Sequence, residues 1–598
     1  MANLKLFERR LIQLVLAFVI FAAAIMGQLV RVQTVSANGY VQRAQSEMTQ
    51  TTTLLAPRGA ITDSKGDPFA RSVDSYRIVV DQKMVTNPTK TAEFLAPYLT
   101  NSGVTASEIE NKVTGKARWF EIAKSVKPAV WKQMKIDISN FNNSLKPENM
   151  DQRILGIFAE RMYTREYPSG HLVASLLGFT KDDGNGAAGL ESAWNSTLSG
   201  INGQAAIATG FGTRIPGSQQ IKNEAKPGST LRLTIDRDIQ WVAEKSITDA
   251  VKRSSALSGT VIVMDPKTGE ILAHATAPTF DPNNTKKLKL SDFSNPSVQE
   301  VYEPGSTGKV MTIAAAIEEN LVKPTTVFSV PYKVKRFNSV IKDHEFHPTQ
   351  RLTTTGILAV SSNTGTIMIG ENLGSQKLYD YLRKFGIGES TNSGLPGESA
   401  GLLAPVNKWS GTSLPTIAFG QGYSVTAMQA TQVFATIAND GVRVSPTVIA
   451  GTADASGRFT PAKRNNKGVR VVSSETAKTM RLMMESVVSP NGTAPTAAIK
   501  GYRVAGKTGT AMRHDSSCNC YSGYTASFIG FAPADNPKYV INVTIQRPQG
   551  MHWGGALGGP VFHDVMSFVL QSKAIAPTGG KPKPLALNEA EVKRDSAA

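Results

Sequence analysis

The chain has 598 residues, too many for one hydrophobic core, so two or more domains are expected. Lys and Arg number 65 and Asp and Glu 47, a net charge of +18 that points to an anionic neighbour such as nucleic acid, lipid headgroups or cell-wall polymer. The basic residues are spread rather than striped and no nucleic-acid motif accompanies them, while two cysteines, Cys518 and Cys520, are too few for a disulfide framework or a zinc finger.

Leu11 to Val30 is apolar apart from Gln13 and Gln28. Twenty helical residues span about 30 Å, the thickness of a bilayer core. Lys5, Arg9 and Arg10 precede the run and Arg31 follows it, which biases residues 1–10 to the cytoplasm. A cleavable signal peptide ending at Val35-Ser36-Ala37 is the competing reading. The run is long for that role and lies apart from the motif, so an uncleaved anchor over 11–31 is favoured. The rest of the chain then lies across the membrane.

Residues 36–228 predict a mixed α/β scaffold. Arg58 to Gly66 reads as a strand entering a tight turn, Val113 to Ile138 has helical spacing, and short helices are expected at His171–Gly178 and from Gly189. Lys226-Pro227-Gly228 marks a boundary, and 229–574 forms the next domain. Thr230–Asp236 alternates as a strand and Asp238–Val251 repeats as a helix. Thr260–Met264 and Ile271–Ala275 flank the turn residues Asp265-Pro266-Lys267-Thr268-Gly269 and predict a hairpin. A mostly helical stretch runs to about 500, and strands return at Tyr502–Ala511, Tyr524–Phe531 and Val540–Gln546. Two early and three late strands around a helical middle predict an α+β fold with one antiparallel sheet flanked by helices. The Lys-, Pro- and Ala-rich tail over 575–598 is expected to be disordered.

Three short motifs carry the chemistry. Glu303-Pro304-Gly305-Ser306 breaks the chain ahead of an apolar helix and places Ser306 one turn before Lys309. A helix N-terminus favours negative charge, and a lysine activates a serine when its pKa is lowered. Alone, Ser-x-x-Lys is common and reads as an N-cap with a surface lysine. Ser361-Ser362-Asn363 puts a hydroxyl and a carboxamide two residues apart, suited to relaying a proton and to holding Lys309 or a substrate amide. Lys507-Thr508-Gly509-Thr510 on a strand suits an extended peptide ending in a carboxylate. Gly509 admits a close backbone, and Lys507 adds positive charge that lowers the Lys309 pKa.

The order S-x-x-K, S-x-N, K-T-G along one chain resembles the class B penicillin-binding proteins, the monofunctional peptidoglycan DD-transpeptidases. The likeness extends to Met264–Ala273, Pro278–Asn283 and Phe419–Gln429, and to Arg58-Gly59, Asp63 and Gly189-Leu190-Glu191 in the N-terminal part. It implies a dimerisation-like pedestal over 36–228 and a transpeptidase domain over 229–574. It also implies that Ser306 is acylated, Lys309 is its base, Ser361 returns the proton to the leaving D-alanine, and Asn363 orients Lys309 and substrate. Lys507 would support the electrostatics, Thr508, Gly509 and Thr510 would bind the substrate's terminal carboxylate segment, and the N–H groups of Ser306 and Thr510 would hold the oxyanion. No metal or cofactor is implied.

Implied partners are peptidoglycan stem peptides on nascent glycan made from a lipid-linked precursor, β-lactam antibiotics, the membrane, a polytopic glycosyltransferase of the shape, elongation, division and sporulation family, and division proteins. Nucleic acid is not among them. The compact pedestal, the single anchor and the Phe419–Gln429 stretch favour a septal enzyme at midcell over an elongation enzyme. A β-lactamase-like hydrolase and a non-catalytic division scaffold are less favoured. Glu371 and Glu398 read as structural rather than deacylating. In the loop Met512–Gly523, His514, Cys518 and Cys520 are too few for a convincing metal site, and free thiols or a Cys-x-Cys bridge both stay open.

Overall fold

The computed structural model describes residues 2–35, 38–40, 49–210, 213–214, 218–285, 288–463, 468–515, 518–579 and 584–597. The chain forms two compact units, Met1–Pro57 with Gly200–Pro227, and Arg58–Ser199 with Gly228–Ala598. In the first unit Ala2–Val30 is one helix. Leu4–Thr34 is long and apolar enough to cross a membrane, and side chains such as Phe18 and Phe21 lie exposed along it. Such a length and composition fit a single-pass membrane anchor. Ser36 and Ala37 of the competing cleavage motif lie outside the described residues. Thr49–Leu54 pairs antiparallel with Gly203–Gly210, which also pairs with Gln220–Asn223.

The second unit is organised by a five-stranded sheet in the order Ile271–Ala277, Ser258–Met264, Tyr539–Gln546, Cys520–Ala532, Ala505–Asp515. Every neighbouring pair is antiparallel, and two early strands meet three late ones as the alternation predicts. Nearly every residue of the inner strands is buried because both faces are covered. Phe528 packs on Phe562 of the helix Gly554–Ser572. Ile529 sits opposite Asn542, whose side chain turns to the other face and donates to Ala427 O on the helix Ala427–Ala438.

A seven-stranded sheet ties residues 58–199 to the rest of this unit. Ile61–Thr62 runs parallel to Thr230–Leu233, which pairs antiparallel with Ile449–Ala453. Gly59 and Gly228 are needed here, since a Cβ on either would fall within 2.0 Å of a backbone oxygen, on Ser229 and Leu198. The Glu191 side chain is fully buried between two guanidinium groups, Arg58 Nε at 2.7 Å and Arg165 Nε at 2.7 Å. Arg58 also donates to Asn195 Oδ1 at 2.7 Å and Arg165 to Gly59 O at 2.8 Å. The Asp63 carboxylate caps its own turn, accepting from the backbone N–H of Lys65, Gly66 and Asp67.

Two expectations are corrected. Val113–Ile138 is not one helix: the helix Ala106–Val113 ends, Phe120–Val126 forms a strand on Pro68–Val80, and a new helix runs from Pro128 to Ser144. Ile122 and Val126 fit helical and strand periods alike, and Pro128, lacking an N–H, starts a helix more readily than it sits inside one. The tail after Ala574 is not disordered throughout. Thr353 N donates to Leu587 O at 3.0 Å, Thr353 Oγ1 to Ala586 O at 2.7 Å, and a helix covers Glu589–Ala597. Asn588 Oδ1 accepts from Glu591 N at 3.0 Å, and Glu591 Oε2 from Leu587 N at 2.7 Å. This capping follows a short apolar run that the Lys- and Pro-rich composition obscures.

Removing one partner of a buried ion cluster leaves charges uncompensated. Glu191→Gln is expected to destabilise the protein by about 3–5 kcal/mol, read as a lowered thermal midpoint of the detergent-solubilised full chain. A midpoint unchanged from wild type would refute the role assigned to this cluster.

Candidate active site

Ser306 lies in a single 3-10 turn, Gly305–Thr307, that feeds the helix Lys309–Glu318. The turn is gripped from two sides. Gly305 has φ +53° and donates its N–H to Gly420 O at 2.8 Å. On the other side runs the strand Ala505–Asp515, where a Cβ on Gly509 would meet Ser527 Oγ at 2.4 Å and Pro304 O at 3.1 Å. The close approach expected of Gly509 is therefore made within the protein, to the Ser306 turn. Ser306 itself is part-exposed, while Thr307, Gly308 and Lys309 behind it are buried.

Lys309 and Lys507 are both 0 % exposed, and both reach one hydroxyl. Lys309 Nζ donates to Asn363 Oδ1 at 2.8 Å and lies 3.3 Å from Ser361 Oγ, with a further short bond to Ser361 O. Lys507 Nζ lies 2.8 Å from Ser361 Oγ and 3.3 Å from both Thr508 O and Thr508 Oγ1. Among the described residues no hydrogen bond joins Ser306 Oγ to Lys309. Burial pushes Lys309 down to about 7, against the pull of the Asp343 carboxylate. Burial also pushes Lys507 well below its ordinary value, and the charge of Lys309 adds to that. The main lever on Lys309 is thus desolvation, not the Lys507 charge that the sequence suggests. Both Nζ atoms contact Ser361 Oγ, at 3.3 and 2.8 Å, so they are at most about 6 Å apart, where two unit charges repel by roughly 3 kcal/mol or more at an effective dielectric near 20, which disfavours charging both.

The Ser361 motif is held in an unusual backbone state. Ser361 has φ +62°, outside the range most L residues adopt. Ser362 then caps the helix Asn363–Leu373 through Gly365 N at 3.0 Å. Beneath it sits Asp343, a residue that sequence reasoning missed. It accepts from Ser362 Oγ at 2.6 Å, Asn363 N at 2.5 Å and Thr364 N at 2.9 Å. A buried carboxylate at a helix N-terminus is well placed electrostatically. Asn363 Nδ2 donates to Lys342 O at 3.0 Å, which leaves its carbonyl oxygen for Lys309. A lone acid in a polar loop carries no spacing by which the sequence could single out Asp343.

Thr508 and Thr510 share one face of their strand by the alternation of side chains. Thr508 Oγ1 lies 2.9 Å from Thr493 Oγ1, and Thr510 Oγ1 accepts from Gly554 N at 3.1 Å. Trp553, just before that helix, meets the ring of His344 at 4.0 Å. Glu303 was also missed. Its Oε1 accepts from Gly422 N at 2.9 Å and Tyr521 OH at 3.3 Å, and burial raises its pKa.

The remaining polar residues have other tasks. Glu398 accepts from Ser390, Thr391, Asn392 and Ser393 and so closes a loop, and Glu371 pairs with Arg336. Cys518 and Cys520 are joined in a disulfide at the end of the hairpin. His514 Nε2 meets Asn519 Oδ1 at 3.2 Å, and no group of three or more metal-ligating side chains occurs among the described residues.

The penicillin binding protein transpeptidase domain matches residues 259–567, and the penicillin-binding protein dimerisation domain matches residues 53–233. Penicillin-binding protein PbpB of Mycolicibacterium smegmatis is 35 % identical over 95 % of this chain and 91 % of its own length. Peptidoglycan D,D-transpeptidase FtsI of Escherichia coli K12 is 30 % identical over 95 % of this chain and 93 % of its own. The crystal structure of penicillin binding protein 3 from Mycobacterium tuberculosis complexed with aztreonam matches with a TM-score of 0.69 at 31 % identity, covering 90 % of this chain and all of that one. Two matched domains and relatives aligned along nearly the whole chain place this protein among the class B penicillin-binding proteins.

Proposed function

We propose that this chain is a peptidoglycan D,D-transpeptidase acting in septal wall synthesis, with Ser306 as its acylated nucleophile. The observation that carries the site assignment is the meeting of two buried lysines at Ser361 Oγ, with Ser306 one turn before Lys309. Neutral Lys309 takes the Ser306 proton as Oγ attacks the penultimate D-alanine carbonyl. The oxyanion forms against the N–H groups of Ser306 and Thr510, a type of contact worth on the order of 3 kcal/mol per donor. Collapse breaks the peptide bond, and the terminal D-alanine leaves with a proton relayed through Ser361. An amine of a second stem peptide then attacks the acyl-enzyme and restores Ser306. A β-lactam follows the first half, but its leaving amine stays tethered after ring opening.

Substrate positioning follows from the sheet. Ala505–Asp515 stands at the end of the strand order, so its outer side can pair with an extended peptide. Thr508 and Thr510 would receive the terminal carboxylate, Lys507 would supply the positive field, and Gly509 keeps the strand close to the turn. Names and bound ligands of the relatives support this reading: FtsI is named a D,D-transpeptidase, and penicillin binding protein 3 binds aztreonam and ampicillin. Residues 1–10 would be cytoplasmic, 11–31 the anchor, 36–228 the pedestal and 229–574 the catalytic domain. Anchor and pedestal would meet a polytopic glycosyltransferase and division proteins.

Fluorescent penicillin is expected to label the wild type stably and Ser306→Ala not at all, with an intact-mass gain equal to the whole β-lactam. A labelled Ser306→Ala protein would refute the assignment, and rapid loss of label would indicate a hydrolase. The acylation rate is expected to rise with pH through about 7, where Lys309 loses its proton. Asp343 holds that proton on, so Asp343→Asn moves the rise to lower pH, and Lys309→Met slows acylation at least about a hundredfold. A rise that stays in place in Asp343→Asn would show that another group titrates. A tagged full chain is expected to concentrate at midcell, and a uniform lateral signal would favour the elongation role.

A further inference from the structure

A short hairpin, Lys333–Arg336 with Ser339–Lys342, adjoins the candidate active site. Its register pairs Lys333 with Lys342 and Lys335 with Val340. Side chains alternate across a strand, so these four share one face, and all four are exposed. The opposite face is anchored. Val334 and Ile341 pack with Ile367 and Phe419, and Arg336 makes a two-pronged ion pair with Glu371 at 2.5 and 2.9 Å. Ile367 and Glu371 belong to the helix that begins at Asn363, and Lys342 O itself receives Asn363 Nδ2. The hairpin is therefore fixed to the Ser361 motif, with a cationic face turned outward.

That face is unfavourable in isolation. Like charges placed directly across an antiparallel pair destabilise it. Among the described residues none of Lys333, Lys335 and Lys342 has an acidic partner, although Glu345 follows three residues after Lys342. Exposed rings flank the same region: Phe337 at the hairpin turn is 71 % exposed, and Phe346, edge-on to Tyr332, is 81 % exposed. Unpaired cations beside exposed apolar rings mark a surface completed by a partner that is both anionic and ring-bearing.

We propose that this hairpin face is a subsite for the wall polymer, its lysines pairing with free carboxylates of stem peptides while Phe337 and Phe346 meet the sugar rings. The inference rests on the transpeptidase reading, because what fixes the occupant is continuity with the cleft. Lys342 O receives Asn363 Nδ2, so a polymer whose peptide lies beside Asn363 also lies beside Lys342. A lipid headgroup or a soluble anion has no such constraint. Exposed pairs are each modest and screened by salt, so the face would act through several contacts at once.

The test uses the full chain in detergent micelles and purified uncross-linked peptidoglycan in a cosedimentation assay. Polymer affinity is read beside each protein's own penicillin acylation rate. Lys333→Gln/Lys335→Gln is expected to weaken polymer binding about threefold to tenfold, and Lys333→Glu/Lys335→Glu to weaken it more. The difference should vanish at high salt and with polymer whose carboxylates have been amidated. Lys478→Glu, on an exposed helical position elsewhere, serves as the charge control. Unchanged affinity in both hairpin variants overturns the proposal, as does an equal loss in Lys478→Glu. Loss of binding to anionic lipid vesicles with polymer binding intact also overturns it. If the reversal variant fails to acylate, the Gln pair decides. Failure of the wild type to acylate would strike the transpeptidase reading instead.

Discussion

Two buried ammonium groups cannot comfortably both be charged around one half-buried hydroxyl, and the catalytic half of this protein is built on that constraint. Lys309 comes from a helix, Lys507 from an edge strand and Ser361 from a turn between helices. Each lysine would be soluble and protonated on an open surface. Here both are fully buried, and desolvation is the first cause of their lowered pKa values. The reactivity of the site is thus a property of packing. It exists only while sheet, helix and turn converge, which explains why the motif carriers are set in the largest apolar core of the chain.

Asp343 balances the arrangement. Burial alone lowers the Lys309 pKa and so weakens the amine as a base for the Ser306 proton. The carboxylate pulls in the other direction while it receives two N–H groups at the start of the Asn363 helix. One residue thereby fixes the position of Asn363 and moderates the base that Asn363 holds. His347 Nε2, 3.0 Å from Asp343 Oδ2, is a further partner of this carboxylate.

The parts legible in the sequence are those whose signal is local. The hairpin around Asp265–Gly269 is written in turn residues, the central strands in alternation, and the membrane-length helix in composition. The order of three short motifs brought Ser306, Lys309, Ser361, Asn363 and Lys507 together, and four of them do meet by hydrogen bond. What stayed hidden depends on tertiary partners. Phe120–Val126 becomes a strand because Pro68–Val80 offers an edge, and Leu585–Leu587 is ordered because Thr353 receives it. Asp343 and Glu303 are polar residues in loops until the fold buries them. Even the cause of the lysine shift was misjudged, since spacing names neighbours but does not measure desolvation.

The part-exposed Ser306 stands apart from its base, and proton counting gives that a meaning. As an ammonium, Lys309 has three donors, and Ser361 O, Ser361 Oγ and Asn363 Oδ1 take all three. As an amine it has two donors and one lone pair. The carbonyl oxygens of Ser361 and Asn363 can only accept, so they claim the two donors. The lone pair is then left for a hydroxyl proton, from Ser361 or from Ser306. Ser361 has its own second partner in Lys507, which can donate to it or receive from it. Loss of a single proton from Lys309 therefore frees the one acceptor that Ser306 needs, and the second lysine keeps Ser361 satisfied while it does so.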